Sequence, residues 1–314
     1  MKTSLRITLA LAALISVRLA ADQTAADQPR PATPVDHSTP SSFSKNPRLD
    51  MVVVAETSAA GPKLARPTSA QPVSYLAFDG GYREAGDPIA NERPPTPAAV
   101  ARALRQALAA EGYRPATAQT PPTLLLIYHW GSLNQDSLAI RSGMDIDPNL
   151  KARVSLVAGR RYERQIDDDI LQRQISRDLR TRFPSGLFLS DQARDIRQLA
   201  QDDRYFVIVT AYDYAALSRH EARQLWRTKM STRNAGAAMA TALPALIQGG
   251  GPYFGRDADE PQFVKTPLGP GDQVEPGSPD TIGAAGRLDD PFVRELAEKE
   301  GAEATGTRPR ATSK

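Results

Sequence analysis

A continuous apolar run near the middle of the chain places the strongest constraint on its fold. Residues 123–128 read Thr-Leu-Leu-Leu-Ile-Tyr, and His129-Trp130-Gly131 follows them. A strand that is buried on one face alternates apolar and polar residues, whereas a strand covered on both faces is apolar throughout. This run therefore predicts a central strand, covered on both sides, that ends near His129.

Three further strands are predicted from short runs of aromatic, β-branched or alternating residues. They are residues 73–78, 204–213 and 224–232. The sequence Asp79-Gly80-Gly81 predicts the end of the first of them. Residues 224–232 are the most polar of the three, which predicts a position at the edge of the sheet.

Helices are predicted over residues 97–111 and 235–248. The first has a favoured N-cap at Thr96, proline at its first position and apolar residues at four-residue steps. The charged region 132–203 has helical periodicity and is interpreted as an insertion between two strands. The sequence therefore predicts an α+β domain over residues 72–255, a two-layer α/β sandwich with a mixed sheet of about four strands and a helical insertion.

The amino terminus has the layout of a secretory signal peptide. Lys2 and Arg6 precede a ten-residue, mostly apolar run, and small residues follow before Asp22. The run is too short to cross a bilayer permanently. We expect residues 1–21 to be removed on export, which predicts a periplasmic or secreted protein without a transmembrane span. Its net charge, +3 for the full chain, then falls to zero, so composition does not support nucleic-acid binding.

Two segments outside the predicted domain have the composition of flexible chain. Residues 22–71 are rich in Ala, Pro, Ser and Thr, which predicts a disordered linker. The linker has one apolar run, at 51–55, that is interpreted as an edge strand. Residues 249–286 are dense in Gly and Pro. We therefore expect 256–314 to be a flexible tail with one short helix, which starts at Asp290-Pro291.

The residue types that several chemistries require are missing or badly spaced. The chain has no cysteine, which excludes disulfides, thiolate catalysis, cysteine-bound zinc and iron–sulfur clusters. None of His37, His129 and His220 has a second histidine at helical spacing. A calcium loop that would start at Asp145 has Leu150 where it needs glycine. We therefore predict no catalytic residue, no metal ligand and no cofactor.

Three residues near predicted strand ends are the candidates for a binding pocket. Asp79 follows the first strand, and His129 and Trp130 follow the apolar strand. The binding interpretation predicts that the three side chains converge on one concave site. A partly buried structural imidazole is the alternative reading of His129.

The order of these segments forms a pattern of its own. A signal peptide is followed by a strand with Tyr75 and Phe78, then by a helix that ends in Gln-Ala-Leu-Ala-Ala-Glu-Gly-Tyr at 106–113. The apolar strand comes next, and a late strand carries Leu225-Trp226-Arg227. This pattern resembles uncharacterised bacterial envelope proteins of the domain-of-unknown-function kind, many of them lipoproteins. It is also distantly similar to small α/β domains of outer-membrane assembly lipoproteins.

The resemblance implies an exported α/β domain and supplies no catalytic residues. This chain lacks the lipobox cysteine and inserts the region 132–203. The leading hypothesis is a non-enzymatic envelope protein that binds a protein partner or assists assembly, and a large exposed apolar patch would support it. The alternative is a small-ligand-binding protein or enzyme with a pocket near the end of strand 123–130. A structural module without a discrete site is the third possibility.

Overall fold

The computed structural model describes residues 48–61, 66–138, 149–159, 196, 199–268 and 290–306. The chain divides into two compact units, Met1–Phe43 and Ser44–Lys314, and every described residue belongs to the second. The predicted signal peptide lies outside the described residues. So does most of the predicted insertion, since 139–148, 160–195 and 197–198 are not described.

Within the described residues, one mixed sheet of seven strands, curled into half of a barrel, forms the centre. The strands are β1 (Arg48–Thr57), β2 (Val73–Ala85), β3 (Tyr113–Pro115), β4 (Leu124–Leu133), β5 (Arg204–Asp213), β6 (Gln224–Arg233) and β7 (Gln262–Pro267). Their order across the sheet is β3-β2-β4-β5-β6-β1-β7. β2 pairs in parallel with β3 and β4, and the other neighbours are antiparallel. Among the described strands, the outermost are therefore the short β3 and the six-residue β7.

The predicted fold class, a two-layer sandwich with a sheet of about four strands, is wrong. The four strands with the clearest sequence patterns are present as β2, β4, β5 and β6. The sheet continues past β6 through β1 and β7, which pair antiparallel with each other. β1 lies in the segment rich in Ala, Pro, Ser and Thr, and β7 lies in the one dense in Gly and Pro. Both strands are stabilised by pairing between distant parts of the chain. Local patterns therefore underestimated the width of the sheet.

The two strands expected at an edge are interior strands. β1 contains residues 51–55 and lies between β6 and β7, while β6 lies between β5 and β1. The polar residues of β6 that suggested an edge, Arg227 and Lys229, are buried and pair with acidic side chains of other elements. Arg48–Thr57 is thus part of the sheet, although it lies within the range predicted as linker.

Helices cover both faces of this sheet. α1 (Pro97–Ala110) and α4 (Met239–Gly250) pack with the largest apolar cluster on one face, which we call the core face. α2 (Leu150–Ala158), α3 (Tyr214–Leu217) and α5 (Pro291–Thr305) pack on the other, which we call the α5 face. α1 begins as the sequence predicts, because the Thr96 side chain accepts a hydrogen bond from the Ala99 N–H. Within the described ranges, no helix combines the length and the hydropathy that a membrane span needs.

Candidate functional site

Asp79 and Trp130 lie together on the core face. The Trp130 indole Nε1–H donates to Asp79 Oδ1 at 3.4 Å, and the same oxygen accepts from the Gly81 N–H at 2.8 Å. A register shift between Asp79 and Tyr82 makes room for this turn of the backbone, and β2 then continues to Ala85. The glycines therefore form a bulge within β2 and do not end it, contrary to the expectation. Trp130 is buried in the core, so this contact has a structural role.

His129 lies on the opposite face of the sheet. Successive residues of a strand point to opposite sides, and Trp130 occupies the core face. The His129 ring packs on the backbone of Gly80, where an added Cβ would stand 2.1 Å from the imidazole Cε1. The three candidate residues are neighbours in the sheet, yet their side chains do not form one concave site.

A buried charged cluster surrounds His129 on the α5 face. We call it the α5 cluster, and it consists of His129, Thr210, Tyr212, Arg227 and Glu300. The Arg227 guanidinium donates to Glu300 Oε1 at 3.0 Å and to Thr210 Oγ1 at 3.1 Å. The Tyr212 hydroxyl donates to the same carboxylate, and His129 Nε2 lies 3.9 Å from Glu300 Oε2. Since Glu300 belongs to α5 and the others to the sheet, the cluster joins this helix to three strands.

Burial controls the protonation of this cluster. Desolvation, with smaller contributions from Arg83 and Arg227, lowers the pKa of His129 to about 4, so the ring is neutral at pH 7. Burial also raises the pKa of Tyr212, and the adjacent Glu300 carboxylate raises it further. The pKa of Glu300 is raised by burial against the opposing effect of Arg227. The cluster therefore combines the buried Arg227–Glu300 pair with a neutral imidazole.

The space around this cluster is too small for an organic ligand. The cavity lined by His129, Arg227, Lys229 and Glu300 has a volume of about 20 Å³. That is about the space of one water molecule, whereas small-molecule pockets have about 300–1,000 Å³. Across the described ranges, no three His, Asp or Glu side chains are arranged to hold a metal ion. The arrangement anchors α5, and it offers no room for a substrate.

A more open surface lies at the β7 edge of the sheet. A groove of about 590 Å³ runs between β7, β1 and the segment that precedes β5, with apolar walls from Met51, Val52, Leu199 and Val264. Phe263 borders it with 70% of its surface exposed. Of the described residues, only Phe263 and Leu138 are large apolar residues with such exposure. The exposed apolar surface is therefore one aromatic ring beside a groove, and it falls short of a large patch.

Charged side chains border the same groove. Arg233 and Lys265 are well exposed, and Arg204 is buried at the base. Asp202 lies within 4 Å of both arginines, at 3.8 and 3.9 Å, and Asp50 lies 3.5 Å from Lys265. Each exposed cation of the groove therefore has a carboxylate beside it, and the charges at its surface nearly balance. We call this groove, with Phe263 and the exposed side of β7, the β7 edge.

Sequence reasoning missed both of these surfaces. Arg227 and Glu300 are 73 residues apart, and no local pattern connects them. β7 was predicted as loop because Gly and Pro surround it, although Phe263-Val264-Lys265-Thr266 carries the aromatic and β-branched residues of a strand. Comparison with known proteins gives no further assignment, since no protein-family model and no curated protein matches the chain.

Proposed function

We propose that the chain is an exported, non-enzymatic envelope protein whose domain binds another protein chain at the β7 edge. The bound chain adds an extended segment to the sheet as a further strand. One observation carries this proposal: no described strand pairs with the outer side of β7, and Phe263 stands exposed beside it. Export rests on the amino-terminal sequence, and the non-enzymatic part rests on a sequence that lacks the catalytic motifs considered above.

Strand addition suits the chemistry of this edge. An added segment pairs with main-chain groups of β7, while its side chains enter pockets at alternate positions. Phe263 supplies an aromatic anchor, and the apolar walls beside it accept an apolar side chain. Arg233 and Lys265 border the same groove, and each already has a carboxylate within 4 Å. The proposed partner segment is therefore extended and carries an apolar residue.

The small-ligand alternative has less support. It requires a pocket near the end of strand 123–130, and the cavity that His129 lines holds about one water molecule. Glu300 and the rest of α5 cover the imidazole, which is 1% exposed.

Site-specific photo-cross-linking in cells tests the proposal. A photoreactive amino acid replaces Phe263 in the full-length protein, and the matched control places it at Lys299, which is exposed on α5. We expect discrete protein adducts from position 263 and none of the same mass from position 299. Equal adducts at both positions, or none at 263, would contradict binding at the β7 edge.

The same sample tests export. We expect the mature protein to lack peptides from residues 1–21 and to fractionate with the cell envelope or the medium. A protein that keeps these peptides and remains in the cytoplasm would contradict the export part of the proposal alone.

A further inference from the structure

The main-chain groups that β7 presents to solvent follow from its pairing with β1. The Ala258 N–H donates to the Ala55 carbonyl at 3.0 Å, so Ala55 directs its main chain toward the β7 side. The main-chain N–H and C=O groups of successive residues point to alternate neighbouring strands. Those of Leu49, Met51 and Val53 therefore point toward β7 as well. Their partners in β7 are Thr266, Val264 and Gln262.

The residues between those partners face outward. Phe263 and Lys265 lie opposite Val52 and Asp50, which direct their main chains toward β6; the Asp50 carbonyl accepts there from the Thr232 hydroxyl at 2.7 Å. Pro267 also faces outward, and it has no N–H that would need a partner in β1. The outer side of β7 therefore offers the N–H and C=O of Phe263 and Lys265.

We propose that β7 of a second copy of this chain occupies the β7 edge, antiparallel, in one register. In this register Phe263 lies opposite Lys265 of the second copy, and Val264 lies on the two-fold axis opposite its counterpart. This inference rests on the proposed function and names the partner. About four main-chain hydrogen bonds then join the two sheets, two from each outward-facing pair.

The neighbouring registers are less favourable. A shift in one direction places Lys265 opposite Lys265 of the second copy, and like charges in directly opposed positions are destabilising. A shift in the other direction places Lys265 opposite Pro261, which has no N–H and lies outside β7. Only the proposed register places each outward-facing residue opposite a β7 residue that has an N–H, without opposing like charges.

The side chains agree with this register. Phe263 and Lys265 are both 70% exposed, and they project on the same side of the strand. In the pair, the ammonium of one copy lies near the ring of the other, a favourable cation–π arrangement. Asp50 at 3.5 Å already balances part of the lysine charge. Val264 is half-buried, and its exposed part meets the same residue at the axis.

The assembly closes at two copies. Each copy uses the same strand, so pairing by a two-fold axis leaves no free β7. Pro261 and Pro267 bound the paired segment and prevent longer pairing. One short strand pair buries less than about 1,000 Å², so we expect a dissociation constant in the micromolar range or weaker.

Single cysteines test the register, because the chain has no cysteine of its own. In the proposed dimer, two Val264→Cys residues face each other as a non-hydrogen-bonded pair, with Cα atoms about 4.5 Å apart, a spacing that a disulfide can bridge. The matched control is Gln262→Cys, which lies on the same side of β7 but pairs with Thr266 of the second copy. We expect a covalent dimer from V264C and none from Q262C under mild oxidation. Equal cross-linking of both would overturn the register.

Sedimentation of the full-length protein over a range of concentrations tests the charge pattern. Phe263→Lys places lysine opposite lysine, and we expect it to weaken the dimer at least about tenfold. Phe263→Glu places glutamate opposite lysine, and we expect dimerisation to be retained. The control Leu138→Lys makes the same kind of change at the other exposed apolar residue and should leave the dissociation constant of the dimer unchanged. Equal loss in F263K and F263E would overturn the pairing.

The two proposals fail in distinguishable ways. A protein that stays monomeric, while position 263 cross-links to a different protein in cells, overturns the dimer and leaves the proposed function standing. A monomer without adducts at position 263 overturns both.

Discussion

Replacing Glu300 tests whether a buried ion pair holds α5 on the sheet. The Glu300 side chain is 5% exposed and the Arg227 side chain 7%, with 3.0 Å between Oε1 and the guanidinium nitrogen. Removing one partner of a buried pair costs about 3–5 kcal/mol, because the other charge stays buried without compensation. Glu303 still lies 3.3 Å from the guanidinium and is half exposed. We therefore expect Glu300→Gln to lose about 3 kcal/mol of unfolding free energy.

Urea unfolding followed by tryptophan fluorescence measures this loss, because both Trp130 and Trp226 are buried in the folded state. The matched control is Glu298→Gln on the same helix, whose exposed carboxylate lies 3.1 Å from Arg83. Exposed ion pairs contribute about 0–1 kcal/mol to stability, so E298Q should change the unfolding free energy by no more than about 1 kcal/mol. A loss in E300Q no larger than in E298Q would refute the reasoning.

A double variant separates the charge from the packing. Replacing both partners, as in Arg227→Met with Glu300→Leu, leaves no unpaired buried charge, and such exchanges are often close to neutral. We expect the double variant to be more stable than E300Q alone. If it is less stable, the contribution of the cluster to stability comes from its hydrogen bonds to Thr210 and Tyr212 more than from charge balance.

Three further substitutions have defined outcomes. His129→Gln should flatten the pH dependence of the unfolding free energy. Between pH 6.5 and about 4 the unfolded imidazole binds a proton and the folded one does not. The unfolding free energy of the wild type should therefore fall by about 3 kcal/mol more than that of the variant over this range. Gly80→Ala places a Cβ 2.1 Å from the His129 ring and should cost about 1–3 kcal/mol in urea unfolding, and the additional substitution His129→Ala should relieve it. Thr96→Ala should lose about 1 kcal/mol, because it removes the N-cap of α1. A wild-type pH profile for H129Q, or unchanged stability of G80A or T96A, would contradict the corresponding contact.

The face of the sheet on which His129 lies was partly predictable from the sequence. Adjacent residues of a strand point to opposite faces, which separates His129 from Trp130 once β4 is known to reach Leu133. The strand was predicted to end near His129, so both side chains were treated as residues of one loop. The prediction also ended β2 too early, at Gly80 and Gly81. Glycines that form a bulge within a strand have the same local pattern as glycines that end one.

The candidate surfaces could not be predicted in the same way. The α5 cluster combines β4, β5, β6 and a helix near the carboxyl end, so its members become neighbours only in the folded chain. The β7 edge exists because β1 pairs with both β6 and β7. A short strand such as β7 carries little signal of its own, since strand preference depends on what the strand packs against.

The sequence by itself determined the elements whose signals lie within a few residues of each other. The apolar run of β4, the capped and periodic α1 and the stretches of β5 and β6 are local patterns, and all are present in the structure. Only the tertiary structure decided that the described residues form a sheet of seven strands, that β1 is interior and that Arg227 and Glu300 are buried together. Those outcomes depend on pairing and desolvation between distant segments. Their free energies belong to contacts that no single stretch of sequence contains.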